Sequence, residues 1–128
     1  MSTDEQSALN RRVAEALGYS AAEMGRGWVL ALHGVPVSIL RFSEESGAWS
    51  QCPDYCTDPA AADLVRQQIE RRGWEWFSGS SVNCDKVRQG KYYAQAEAEP
   101  GSMEVKVFFS NDSPHHALCL AFLAAHDA

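Results

Sequence analysis

The chain has 128 residues, 45% hydrophobic and 22% charged, with 17 acidic against 11 basic side chains and a formal net charge of -6. That length suits a single domain over residues 1–128, and that composition excludes a largely disordered chain. The acidic balance excludes the broad cationic footprint that direct nucleic-acid binding requires, and no apolar run approaches the roughly 18 residues of a membrane span.

The first residues, MSTDEQSALN, lack the basic and apolar segments of a secretory signal, so the expected location is the cytoplasm. There the four cysteines, Cys52, Cys56, Cys84 and Cys119, are expected to be reduced. Over residues 4–17 the apolar positions Leu9, Val13, Ala16 and Leu17 fall on one stripe of a helix, with Arg11, Arg12 and Glu15 turned to water. Gly18 follows, where a left-handed helix cap favours a residue without a Cβ.

WVLALHGVPVSILRF, residues 28–42, is β-branched or apolar on both sides of His33-Gly34 and reads as two short strands around a turn. Pro36 cannot donate a ladder hydrogen bond, so this pair is expected as a hairpin excursion from the main sheet. Residues 43–51 read as a polar turn carrying Trp49. Thr57-Asp58-Pro59 then opens a helix over residues 59–72, because the side-chain oxygens can accept from free backbone N–H groups and proline suits the first turn. Its expected inward stripe is Ala61, Leu64, Val65 and Ile69, and Gly73 closes it.

Beyond Gly73 the period becomes twofold. Trp74 and Trp76 share one face of a strand with Phe77 on the other, and KYYAQAEAE from Lys91 and MEVKVFFS from Met103 alternate in the same way. A two-residue turn at Pro100-Gly101 would set Ala94 opposite Val107, Tyr92 opposite Phe109, and Tyr93 opposite Phe108. Ser113 and Pro114 open a last helix whose residues 117–125 are apolar nearly all round, which requires burial. No internal repeat is visible in the sequence.

Candidate chemistry is sparse. Cys52 and Cys56 are separated by three residues and the histidines lie in other elements, so recurrent zinc spacings are absent and no metal site is expected. His115 and His116 sit in the first turn of a helix, where an imidazolium would oppose the dipole. They are expected to be neutral, either assisting a bound phosphate or carboxylate or standing as polar residues at a helix start. Arg88, Lys91 and Lys106, with Tyr93, form a cationic and aromatic set that suits a nucleotide's phosphate and base, while Tyr93 and Phe108 equally suit a core beneath a second helical layer. No Ser-His-Asp order, glycine-rich phosphate loop or paired carboxylates appear, so no enzyme activity and no cofactor are expected.

Three stretches together resemble the phage alpha-beta-alpha sandwich domain family. VAEALGY at residues 13–19 is similar to that family's first-helix ending, YCTDPAAADLV at 55–65 to the start of its second helix, and ALCLAFLAA at 117–125 to its alanine-rich terminal helix. Cys56 stands where the family commonly has serine, and residues 25–49 depart from its pattern in being longer and more apolar. The resemblance implies an α+β fold in which an antiparallel sheet of about four strands is sandwiched between helices. The resemblance implies little chemistry of its own; together with the absence of catalytic motifs, and by analogy with other small phage proteins, it motivates the expectation of a non-enzymatic phage or prophage protein countering host defence within the bacterial cytoplasm. The expected partner is a nucleotide-like signalling molecule that the protein sequesters, with Arg88, Lys91, Tyr93 and Lys106 as ligand-binding residues. The alternative partner is a host defence protein, a nuclease for instance, that the protein blocks. A homo-oligomer is also expected, as a place for exposed aromatics such as Trp49.

Overall fold

A computed structural model of the chain, describing residues 2–38, 40–80, 90–97 and 106–127, gathers it into two compact units, Ser2–Pro53 and Asp54–Ala128. The class is α+β, as expected, but in place of one sheet of about four strands the described residues form two antiparallel sheets of three. Both units run helix, three-stranded meander, helix, a likeness of layout that the sequence does not display as a repeat.

In the amino-terminal unit, α1 (Thr3–Ala16) opens where the Ser2 side chain accepts from Glu5 N at 3.2 Å and buries Leu9, Val13 and Ala14. Gly18 follows the helix with φ 104, and a Cβ there would stand 2.3 Å from Cε1 of His33. The helix passes directly into β1 (Tyr19–Met24), a strand the sequence reading leaves unassigned. Gly25, with φ 62 at the first central position of the turn, joins it to β2 (Gly27–Leu32) in the manner of a type II′ hairpin. His33 and Gly34, both with positive φ (50 and 82), turn the chain into β3 (Val35–Pro36), the type I′ pattern that matches strand twist. The expected hairpin at residues 28–42 is therefore present, but as two-thirds of this unit's own sheet.

Where the sequence suggests a polar turn, residues Glu45–Trp49 form the short helix α2, which packs on β1 and β2. Trp49 is only 8% exposed, so it offers no oligomer surface of the kind expected. Arg11 lies 4.7 Å over its ring and reaches Glu15 at 2.9 Å and Glu45 at 3.6 Å.

In the carboxy-terminal unit, Asp58 Oδ1 accepts from Ala60 N at 3.0 Å and Pro59 starts α3 (Pro59–Arg71). Gly73, with φ 75, ends it in a Schellman motif: Gly73 N donates to Glu70 O at 3.0 Å and Trp74 N to Ile69 O at 3.1 Å. Ala61, Val65 and Ile69 are buried as expected. Leu64 is 44% exposed, and Ala62 takes its place in the stripe. Strands β4 (Glu75–Ser80), β5 (Tyr92–Glu97) and β6 (Phe108–Ser110) follow in spatial order.

The register of the last pair differs from expectation by one residue: Ala94 faces Phe108, Tyr92 faces Ser110, and Tyr93 faces Phe109. A one-residue slip exchanges the faces of a strand. Phe108 thus joins fully buried Ala94 on the helix-facing side, and Phe109 joins Tyr93 on the other. The expected Pro100-Gly101 turn lies outside the described residues.

Helix α4 (Pro114–Asp127) starts at Ser113, whose Oγ accepts from His116 N at 3.0 Å. It packs on β4, β5, β6 and α3, burying Leu118, Cys119, Phe122 and Leu123. Each such side chain, fully buried, contributes on the order of 1.5–3 kcal/mol. Arg72 lies over Trp74 at 5.0 Å and over Phe122 at 5.2 Å, so its charge closes the end of this apolar layer.

Candidate functional site

A concavity in the amino-terminal unit arises from an interruption of β-pairing. Val37 N donates to Leu30 O at 2.9 Å, continuing the β3 register, while Trp28 and Phe42 exchange hydrogen bonds at 2.7 and 2.9 Å. Between those two fixed points Val29 alone separates Leu30 from Trp28 on β2, whereas Ser38, Leu40 and Arg41 all lie between Val37 and Phe42, so the pairing is interrupted there. Ser38 Oγ donates to Leu40 O at 3.0 Å and stiffens the loop. Phe42 is held by Gly47 of α2, where a Cβ would lie only 2.6 Å from the Phe42 Cβ.

Beneath the loop is a cavity of about 460 Å³ lined by Tyr19, Leu30, Val37, Ser38, Leu40, Gln51 and Pro53. Every one of these side chains is uncharged. Leu30 lines it while only 3% exposed, whereas Val37 and Leu40, also in the lining, are 51% and 60% exposed. This is an uncharged concavity of mixed character, in which Tyr19, Ser38 and Gln51 supply polar lining beside Leu30, Val37, Leu40 and Pro53. The sequence singles out residues 25–49 for their apolar length. The cavity itself was illegible because it depends on how many residues loop out between Val37 and Phe42.

The residues expected to bind a nucleotide are placed differently. Arg88 lies outside the described residues. Lys91 precedes β5, with its N donating to Asn111 Oδ1 at 3.2 Å and its side chain exposed. Lys106, also exposed, stands two residues before β6. Lys91 and Lys106 flank opposite ends of the β5–β6 pairing, and extending its register sets Lys106 level with Ala96, roughly 16 Å along the strands from Lys91 at the usual rise. Tyr93 is engaged with its own sheet: its ring crosses Gly79, where a Cβ would meet Oη at 2.9 Å, and meets Phe77 edge-on with centroids 6.2 Å apart.

The histidines hold helix contacts. Arg66 Nη2 donates to His115 Nδ1 at 3.1 Å while Nη1 binds Asp63 at 2.6 Å. Burial and then the Arg66 charge hold His115 below its ordinary pKa, with Asp63 and Asp58 opposing more weakly. For His115 the expected neutrality has these causes in addition to any from the helix dipole.

Ser110, Asp112 and His116 meet near the start of α4, a grouping the sequence search missed because it follows no familiar spacing. Ser110 Oγ lies 2.6 Å from His116 Nδ1 and accepts from Asp112 N at 3.0 Å, and Asp112 Oδ2 lies 3.6 Å from that same Nδ1. A catalytic triad needs the carboxylate and the hydroxyl on opposite ring nitrogens. Here both meet Nδ1 and Ser110 is only 5% exposed, so the grouping locks a turn. Among the described residues no group of three or more histidine, cysteine, aspartate or glutamate side chains is arranged to hold a metal ion, and no helix is long and apolar enough to cross a membrane.

Comparison with known proteins finds no matching protein-family model, no matching curated protein and no matching solved structure.

Proposed function

We propose that this chain is a non-enzymatic phage or prophage accessory protein that acts by binding a host protein at the concavity bordered by Val37 and Leu40. One observation carries the choice of a protein over a nucleotide-like signal. The cavity in the amino-terminal unit is lined without a single charged group, while Lys91 and Lys106 flank opposite ends of the β5–β6 pairing and Tyr93 is packed on Gly79 and Phe77. A phosphate-bearing ligand is recognised by converging cations. An uncharged concavity bordered by exposed Val37 and Leu40 instead suits the buried centre of a protein interface, where charged residues are depleted. The net charge of -6 then favours a partner with a basic surface, through steering rather than through the concavity itself. The phage setting and the role against host defence rest on the resemblance noted above.

The test pairs capture with calorimetry. Val37→Asp with Leu40→Asp should abolish recovery of a discrete partner from bacterial extract while circular dichroism stays unchanged. Cyclic nucleotides and ADP-ribose should give no heat. Nucleotide heat that survives the double variant and disappears in Lys91→Ala would restore the signal-sequestering alternative and sink the protein-binding reading.

A further inference from the structure

Cys56 and Cys119 are 63 positions apart in sequence and share one dry site. Both are fully buried. Cys119, in the middle of α4, directs its Sγ to the carbonyl oxygen of Tyr55, the residue next to Cys56, at 3.4 Å. The backbone at Cys56 is fixed independently, since its carbonyl accepts from Ser113 Oγ at 2.6 Å. Two bonds from successive residues of one segment, one to the cap of α4 and one to Cys119 itself, therefore hold the backbone of Cys56 against the Cys119 side chain. A bridge requires two cysteines held close with side chains able to turn toward each other.

We propose that Cys56 and Cys119 form a redox-sensitive pair that closes to an intramolecular disulfide against a small-molecule disulfide such as oxidised glutathione. One cysteine attacks the glutathione disulfide, forming a mixed disulfide and expelling one glutathione thiolate. The second cysteine attacks the protein sulfur of that intermediate, forming the Cys56–Cys119 bond and expelling the second. The protein gives up two electrons and two protons, and one glutathione disulfide becomes two glutathione molecules. The bond would staple the approach to α3 onto the middle of α4.

Contact with Cys56 and burial push the Cys119 thiol far above its ordinary value. The thiolate is the attacking species, so the closed native state reacts slowly and exchange proceeds through transient opening of this unit. Oxidation should therefore be markedly faster in sub-denaturing urea, while the oxidised form, once closed, resists reduction.

The full chain is equilibrated with glutathione redox buffers, quenched in acid, alkylated and analysed by mass spectrometry. The expected product has lost the mass of two hydrogens and yields a tryptic pair joining residues 42–66 to 107–128, with fragmentation assigning the bond to Cys56 rather than Cys52. Its unfolding temperature rises by several degrees. Cys52→Ser retains the bridge, and Cys56→Ser or Cys119→Ser loses it. A bond mapping to Cys52–Cys56 or to Cys84, or glutathione adducts alone, overturns the proposal. That mapping is made on the unmodified protein, so it decides the matter even if a serine variant fails to fold.

Discussion

Replacing Gly47 with alanine sets two ordinary effects against each other. Gly→Ala inside a helix gains about 1 kcal/mol from propensity. At this position, however, the new Cβ would fall 2.6 Å from the Phe42 Cβ and 2.8 Å from its Cγ and Cδ1. A ring can rotate away, but a Cβ moves only with its backbone, and the Phe42 backbone is tied to Trp28 by hydrogen bonds of 2.7 and 2.9 Å. Inserting a methyl group into such a site costs roughly 1–3 kcal/mol, and α2 is too short for propensity to dominate. A net loss of about 1 kcal/mol is expected. With a urea slope on the order of 1–1.5 kcal/mol per molar, the midpoint followed by circular dichroism should fall by somewhat under 1 M. In a Phe42→Gly background the obstructing Cβ is gone, and Gly47→Ala should become neutral or stabilising. Because Phe42 ends the loop above the cavity, the single variant should also weaken partner capture. A higher midpoint for Gly47→Ala in the native background would refute the packing that shapes the concavity.

Three further outcomes test the carboxy-terminal unit. His115 is held below its ordinary value of 6.5 by burial and by Arg66, against Asp63 and Asp58, so the unfolded chain takes up a proton first as pH falls. The stability this contributes is complete above about pH 7 and is lost progressively below about 6.5. His115→Asn, which keeps an acceptor for Arg66 without titrating, should therefore show a flatter dependence of urea midpoint between pH 7.5 and 5.5 than the native chain (about two pH units). Asp58→Ala removes the acceptor for Ala60 N and should cost about 1 kcal/mol in equilibrium unfolding, with Asp58→Asn recovering most of it. Phe122→Ala empties a fully buried site between Trp74 and Arg72 and should cost roughly 3–5 kcal/mol, read as a large fall in midpoint or loss of the cooperative transition.

What could be read from the sequence was mostly chemistry confined to a few neighbouring residues. Asp58-Pro59, Gly73 and Ser113-Pro114 announce helix ends because the cap groups lie within three residues of the backbone atoms they satisfy. Strand β1, YSAAEM, escaped because two alanines and a glutamate give neither β-branched content nor strong alternation. Helix α2 escaped because Gly47 and its polar neighbours carry a turn's composition, while its support comes from Phe42 and β2. The β5–β6 register depended on the length of a connection that local turn preferences do not fix, and one residue was enough to separate Phe108 from Tyr93. The proposed nucleotide cluster rested on that pairing. The concavity depended on pairings on either side of residues 38–41, which composition hints at through apolar length but cannot count.

The four tryptophans are divided equally: Trp28 and Trp49 belong to the amino-terminal unit, Trp74 and Trp76 to the other, and a guanidinium lies over Trp49, Trp74 and Trp76. Intrinsic fluorescence is consequently a ready-made optical label for each half of the molecule. Exchanging one pair for phenylalanine would leave the glow of the other, so the melting of either half could be watched without attaching a dye.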